Sequence, residues 1–287
     1  MFNKIGKAFD IMKACWRVLL LDKELLVFPF LTIFVLGACL AGIVWPVWQY
    51  GDLPEFLFVL QENGEETLNY YWSAAVGFTG YFVTFFVMIF FNSALIACVK
   101  IRFAGGDPTV MDGLRASVER LSLIFFWALV ASVVGFILSQ LRNKNGGPIN
   151  FVVGLLGAGW AIATYFVIPV LVSEKISPLS AIKRSTSIIK KTWGEALVAE
   201  VGFGVFYAIT GFVIMGCVFA GFVLFESSPS ISVFIFAFGA LYVLISTLVF
   251  STLGSILKAA LYVYAVEGKI PDAFDDDQIR GAFVSEQ

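Results

Sequence analysis

Histidine is absent from this 287-residue chain, and charge is scarce: Asp, Glu, Lys and Arg together make up 14%. Missing histidine removes the commonest metal ligand and the commonest general base, so most zinc and catalytic-triad chemistry is excluded at once. Soluble domains carry about 25% charged residues, and little more than half of that leaves too few polar side chains to cover a water-facing surface. The net charge of -2 gives no basic footprint for nucleic acid. Cysteine is equally sparse: Cys15, Cys39, Cys98 and Cys217 form no disulfide framework and are expected as buried thiols.

What remains is apolar. Hydrophobic residues reach 59%, with 31 Phe, and mean hydropathy is +0.89. A helix needs about 20 apolar residues to cross the hydrocarbon core. Six charge-free runs qualify: Leu25 to Trp48, Tyr70 to Val99, Leu121 to Leu141, Gly146 to Ser173, Val201 to Phe225 and Ser227 to Leu257. They predict an all-α polytopic membrane protein, a single membrane domain over 1–287, with spans at about 25–48, 70–99, 121–141, 147–173, 197–225 and 229–257 and a tail over 258–287. The first run is too long for a signal peptide and lacks a small-residue cleavage site, so it is expected to stay as a membrane helix.

Basic residues orient these spans. Of 19 Lys and Arg, 17 fall on the side that holds both termini, while only Arg142 and Lys144 fall on the other. The longest loop on that other side, Gln49 to Asn69, carries five acids and no base. Both termini are therefore expected in the cytoplasm. Trp45, Trp48, Tyr70, Tyr71 and Trp72 flank the acidic loop as an interfacial aromatic belt would.

The cytoplasmic segments carry their own pattern. Ile5, Phe9, Met12, Trp16 and Leu19 recur at helical spacing, with Lys4, Lys7, Lys13 and Arg17 mostly on other faces, which predicts an amphipathic helix over 1–24 lying in the interface. In the third segment Ser177 caps and Pro178 opens a helix whose stripe is Leu179, Ile182, Ile189 and Trp193. Asp107 and Pro108 are expected to open the middle segment in the same way. The tetrads Met12-Lys13-Ala14-Cys15, Leu114-Arg115-Ala116-Ser117 and Ile182-Lys183-Arg184-Ser185 share the order apolar, basic, any, small. Two readings stay open: three copies of an interfacial helix followed by a hairpin, or chance similarity among amphipathic helices. The tail turns at Gly268 and Pro271, after which Asp275 caps a short helix through Phe283.

Certain runs resemble a known family. Trp16-Arg17-Val18-Leu19 with Asp22-Lys23-Glu24-Leu25 and Phe28-Pro29, then Phe91-Asn92-Ser93-Ala94-Leu95 with Gly105-Gly106-Asp107-Pro108-Thr109 and Gly113-Leu114-Arg115-Ala116, resemble an uncharacterised family of prokaryotic six-span membrane proteins, a domain of unknown function. Pro178 to Trp193 is distantly similar to the membrane domain of some glycerophosphodiester phosphodiesterases. The resemblance implies a fold and an inner (plasma) membrane location. It implies no activity, and the barrel carrying the phosphodiesterase chemistry has no counterpart here.

Ionisable residues within spans are functional suspects because they are expensive there. Glu200 and Lys258 read either as a gating pair or as charges at helix ends, with Lys258 snorkelling. Asn92, Ser93, Gln140 and Glu200 are candidate cavity-lining polar residues, with Thr164 and Thr210 beside them; interhelical hydrogen bonding is the alternative. Pro169 predicts a kink or helix end in the fourth span. Gly37 with Ala41, Ala38 with Gly42, and Gly154 with Ala158 predict close helix approach. Gly105-Gly106-Asp107-Pro108 lacks the Lys-Ser/Thr of a phosphate loop, and the acids Asp272 to Asp277 fail the calcium-loop pattern. Lys183, Arg184, Lys190 and Lys191 are candidate contacts for anionic lipid headgroups.

The expected function is a non-enzymatic membrane-organising protein that interacts with lipid or protein. The alternative is a transporter or channel for a lipid or small hydrophobic solute. No cofactor or metal is called for. The expected partners are membrane lipids and a homo-oligomer or other membrane proteins, with no nucleic acid.

Overall fold

The computed structural model describes residues 2–50, 58–60, 66–68, 70–144, 148–271 and 274; within these, the side chains of 2–8, 191–203 and a few others lie outside the description. Several expectations therefore fall beyond it: the bulk of the acidic loop, Trp193, the acids of the tail and the short helix at 275–283.

The chain is helical, as its composition requires. The helices are α1 (Phe2–Leu21), α2 (Val27–Tyr50), α3 (Tyr70–Phe103), α4 (Val110–Val118), α5 (Leu121–Lys144), α6 (Pro148–Ala163), α7 (Val167–Glu174), α8 (Pro178–Val223) and α9 (Pro229–Glu267), with a 3-10 turn at Lys23–Leu26. A small antiparallel hairpin, β1 (Phe58–Leu60) and β2 (Glu66–Leu68), joins α2 to α3, with Val59 opposite Thr67. Five stretches are long and apolar enough to cross a membrane: Lys23–Gly42, Ala74–Phe103, Leu121–Arg142, Ile149–Glu174 and Pro229–Glu267. The sixth expected span has a shorter described apolar stretch, Tyr207–Val223.

Packing is uneven along the bundle. The core gathers at one end, where α1, α4 and the first turns of α8 wrap the ends of α3, α7 and α9. Val18, Leu95, Ile96, Phe166, Ile256 and Tyr262 are all buried there. Toward the other end the helices present Phe34, Leu155, Phe219 and Phe234 outward. This is a packed head on apolar legs, and such bare apolar surface is stable in lipid rather than in water. Phe274 reaches back into the head, edge-on to Phe103.

Local chemistry explains the helix starts. Ser177 caps α8, its hydroxyl accepting from the Ser180 amide at 3.4 Å, and Pro178 follows as the sequence predicts. The middle segment corrects the expected cap. Thr109, not Asp107, caps α4, in a reciprocal box with Asp112, while Asp107 instead accepts from Arg102 at 2.5 Å. Arg102 also donates from two nitrogens to the buried Asp22 carboxylate, which ties the α1–α2 connection to the end of α3. Gly268, at φ +66°, ends α9 in the left-handed region that glycine adopts freely.

Three helical expectations change. The segment expected to be the third cytoplasmic one and the expected fifth span form one unbroken helix of 46 residues, about 70 Å long at 1.5 Å per residue. The expected stripes hold in part: Met12 and Leu19 on α1 and Ile189 on α8 are buried as expected, but Ala14, Cys15 and Val18 on α1 and Ala181, Ser185 and Ile188 on α8 face inward with them, while Phe9, Trp16 and Leu179 are exposed. Small residues let the helix axes come close, so they decide which face is covered. The glycine pairs on α2 and α6 do not act this way within the chain, since a Cβ on Gly37, Gly42 or Gly154 would meet nothing within 4 Å. Gly113 does, because a Cβ there would come within 2.7 Å of the Ala94 carbonyl, Cys98 Sγ and Phe28. All four cysteines are free. Cys15 and Cys98 are buried as expected, but Cys39 is exposed on α2 and Cys217 half-buried. Burial pushes the Cys15 thiol well above its ordinary range.

Candidate functional site

The fourth span is broken. Pro169 has no N–H for the Tyr165 carbonyl, and its ring would crowd that oxygen, so α6 stops at Ala163 and α7 restarts at Val167. The turn is held by the Tyr165 amide donating to the Ile162 carbonyl and the Val167 amide to the Thr164 carbonyl. A break strands donors, and the buried Phe166 amide finds its partner elsewhere: it donates to Ser185 Oγ on α8 at 3.0 Å. The expected kink is thus an interruption a turn upstream of the proline, closed by a side chain from another helix.

Beside this break lies a cavity of about 740 Å³. Its walls come from α2, α3, α5, α6, α7 and α9, at the level where the packed head gives way to the exposed legs. They are chiefly apolar, and Trp127 and Trp160 stack across them with ring centroids 6.0 Å apart. Polar groups enter at few points. Ser255 donates to Asn92 Oδ1 at 3.0 Å, linking α9 to α3, and the Thr164 hydroxyl donates to the Trp160 carbonyl at 2.8 Å. Among the described lining residues Lys258 is the one charged side chain, its ammonium 5.1 Å from the Tyr165 ring centroid.

The candidate polar residues separate on this geometry. Asn92 and Thr164 line the cavity. Ser93 is buried in helix packing beside it rather than lining it, and Gln140 stands near the far end of α5. Thr210 lies on α8, outside the walls. The side chain of Glu200 falls outside the described residues, as does that of Lys191. Lys258 is not at a helix end: α9 continues to Glu267, and Lys258 lies within the stretch from Thr252 to Val263 that is mostly buried in the head. Sequence reading missed this because a charge was taken to end the span.

The headgroup candidates also divide. Lys183 and Lys190 are exposed. Arg184 is part-exposed and pairs with Glu174, its Nε donating to both carboxylate oxygens at 2.9 and 3.2 Å. Glu174 in turn accepts from the Tyr262 hydroxyl at 3.0 Å, and Lys100 donates to Ser173 at 2.6 Å and lies 4.0 Å from Glu267. This network fastens α3, α7, α8 and α9 together across the head. Among the described residues no group of three or more Cys, Asp or Glu is placed to hold a metal ion.

A model described as a family of unknown function (DUF6159) matches residues 72–272, from α3 through the end of α9. The run Trp16 to Pro29, which also carried the resemblance, lies outside that range. The likeness to the phosphodiesterase membrane domain is not shown. No curated protein and no solved structure matches.

Proposed function

The chain belongs to a family of unknown function (DUF6159), and from that premise we propose that it is a non-enzymatic integral membrane protein that binds membrane lipid in the cavity beside the broken fourth span. The supporting observation is the cavity itself: about 740 Å³ of mainly apolar space, within the roughly 300–1,000 Å³ typical of ligand sites, walled by helices whose outer faces suit hydrocarbon. We place it in a prokaryotic cell membrane with six spans and the head in the cytoplasm, on the distribution of basic residues. The repeat reading gains support from burial: Ile11, Gly113 and Ala181 are covered, Lys13, Arg115 and Lys183 exposed, and Cys15, Ser117 and Ser185 covered again. A homo-oligomer remains part of the reading, with the uncovered small residues of α2 and α6 as its candidate contact.

A second reading, a carrier for a lipid or small hydrophobic solute, is favoured by one observation: the helix break lies on the cavity wall, where irregular backbone is tolerated and commonly moves. One experiment separates the two. Native mass spectrometry of the purified protein should show retained lipid, and Ala161→Trp, which fills the cavity from its rim, should lose most of it. Equal retention by both proteins would remove the cavity from the reading. Protein-dependent flipping of a fluorescent phospholipid in liposomes, abolished by Ala161→Trp, would favour the carrier.

A further inference from the structure

A second apolar space lies apart from the cavity beside the broken span, between α1 and α9. It holds about 460 Å³, toward the low end of ligand sites, which is room for one hydrocarbon chain and not for a whole two-chain phospholipid. Phe9, Met12 and Trp16 wall it from α1, and Val249, Phe250 and Leu253 from α9. Met12 and Leu253 are buried and make its floor, while Phe9 and Trp16 are exposed and make its rim. Its level follows from α9. Leu241 and Ile245 are exposed on the apolar leg and burial in the head sets in at Thr252, so the stretch from Val249 to Leu253 straddles that change, where a lipid's chains meet its headgroup.

The remaining two lining residues are charged and of opposite sign. Asp10 and Lys13 are both exposed and stand three residues apart, neighbours on one face of α1. Among the described residues no ion pair joins them. An anionic headgroup meets attraction at Lys13 and repulsion at Asp10, so the two charges largely cancel for it, whereas a headgroup that carries both signs gains at both. A primary ammonium also donates charge-assisted hydrogen bonds to the carboxylate, and a quaternary one has no N–H to donate. From this complementarity we infer that the groove takes one chain of a phosphatidylethanolamine-type lipid, its phosphate against Lys13 and its ammonium against Asp10. The site is separate from the cavity and stands without it.

Trp16 supplies the reporter. Full-length protein is reconstituted in phosphatidylcholine bilayers containing a fixed fraction of chain-brominated lipid, with an ethanolamine, choline or glycerol headgroup. Bromine quenches indole fluorescence on contact, and the quenching lost in Trp16→Phe is the groove's share. In that share phosphatidylethanolamine is expected to be enriched about threefold over phosphatidylcholine, the size of one exposed ion pair. Asp10→Asn should abolish the enrichment and Asp10→Glu should keep it. Asp10→Lys should turn the preference to phosphatidylglycerol, which a merely structural role for an exposed side chain would not produce.

Equal quenching of Trp16 by all three lipids in the unaltered protein overturns the inference, and so does a preference for phosphatidylglycerol. Enrichment that survives Asp10→Asn, in protein of unchanged helix content, overturns the role of Asp10. Trp16 shielded from every lipid in protein that runs as a dimer would give the groove to a second copy of the chain. None of these results touches the cavity, whose own test is the lipid lost in Ala161→Trp.

Discussion

The hydroxyl of Ser185 on α8 accepts the amide hydrogen of Phe166 at 3.0 Å, across the interruption in the fourth span. Both residues are fully buried. A long helix that begins in one segment thereby completes the backbone of another, and the break beside the cavity keeps its shape because its freed donor is satisfied.

Ser185→Ala removes that acceptor and leaves a buried N–H without a partner, at a cost of about 1–3 kcal/mol. Its thermal midpoint in detergent should fall, and the Phe166 amide should exchange with deuterium much faster. Ser187→Ala, two residues along on the exposed face, should change neither. Identical melting of the two variants would show that the bond does not hold the break.

Much of the helical architecture was legible because lipid imposes a simple rule: runs of about 20 apolar residues, and five of the described helical stretches are that long and apolar. Ser177 and Pro178 announced a helix start with local chemistry, and Pro169 announced trouble in the fourth span. What stayed hidden depends on partners far away in sequence. Nothing near Phe166 says that Ser185 receives its amide, and nothing near Asp22 says that Arg102 lies against it. Ala181 and Ser185 looked neutral beside Leu179, yet they face inward because they are small. Lys258 looked like the end of a span, since charge and hydropathy alone cannot distinguish a helix that stops from one that continues into a packed head. Asn92 and Thr164 were the exceptions, polar residues in apolar runs that do line the cavity.

Gly113 and Gly37 give opposite expectations for the same substitution. At Gly113 a methyl group would press on the Ala94 carbonyl, Cys98 and Phe28, and a packed core accommodates such overfilling poorly. Gly113→Ala should destabilise by about 1–3 kcal/mol, seen as a lower melting midpoint. Gly37→Ala meets open space and should leave the protomer's stability within about 0.5 kcal/mol. If Gly37→Ala shifts a dimer to monomer on size exclusion, the small-residue face of α2 is covered by a second copy.

Asp112 gives the head a pH response. Its carboxylate accepts from the Thr109 hydroxyl at 2.6 Å and the Thr109 amide at 3.0 Å, and these bonds hold its pKa below the ordinary value of 3.8. A depressed carboxylate contributes stability that is fully present above its unfolded value and lost as pH falls through the lower folded one. The α4 backbone amides should therefore stay protected down to about pH 4 and lose protection only in more acid solution. Asp112→Asn should flatten that dependence, and an unchanged profile in the variant would assign the acid sensitivity elsewhere.

The proposed orientation rests on charge, and thiol labelling can reverse it. The packed head carries Lys13, Lys100, Arg102, Arg115 and Lys183, whereas the stretch between α2 and α3 holds five acids and no base. Positive-inside placement puts the head in the cytoplasm and that stretch outside. On a background with Cys15, Cys39, Cys98 and Cys217 replaced, Gly64→Cys should react with a membrane-impermeant maleimide in intact spheroplasts. Lys183→Cys, exposed on the head, should react only after the membrane is opened. The reverse pattern would invert the bundle. The cavity would then lie nearer the outer leaflet, so lipid retained in it would have to come from that side, and asymmetrically loaded brominated lipid would report which leaflet supplies it.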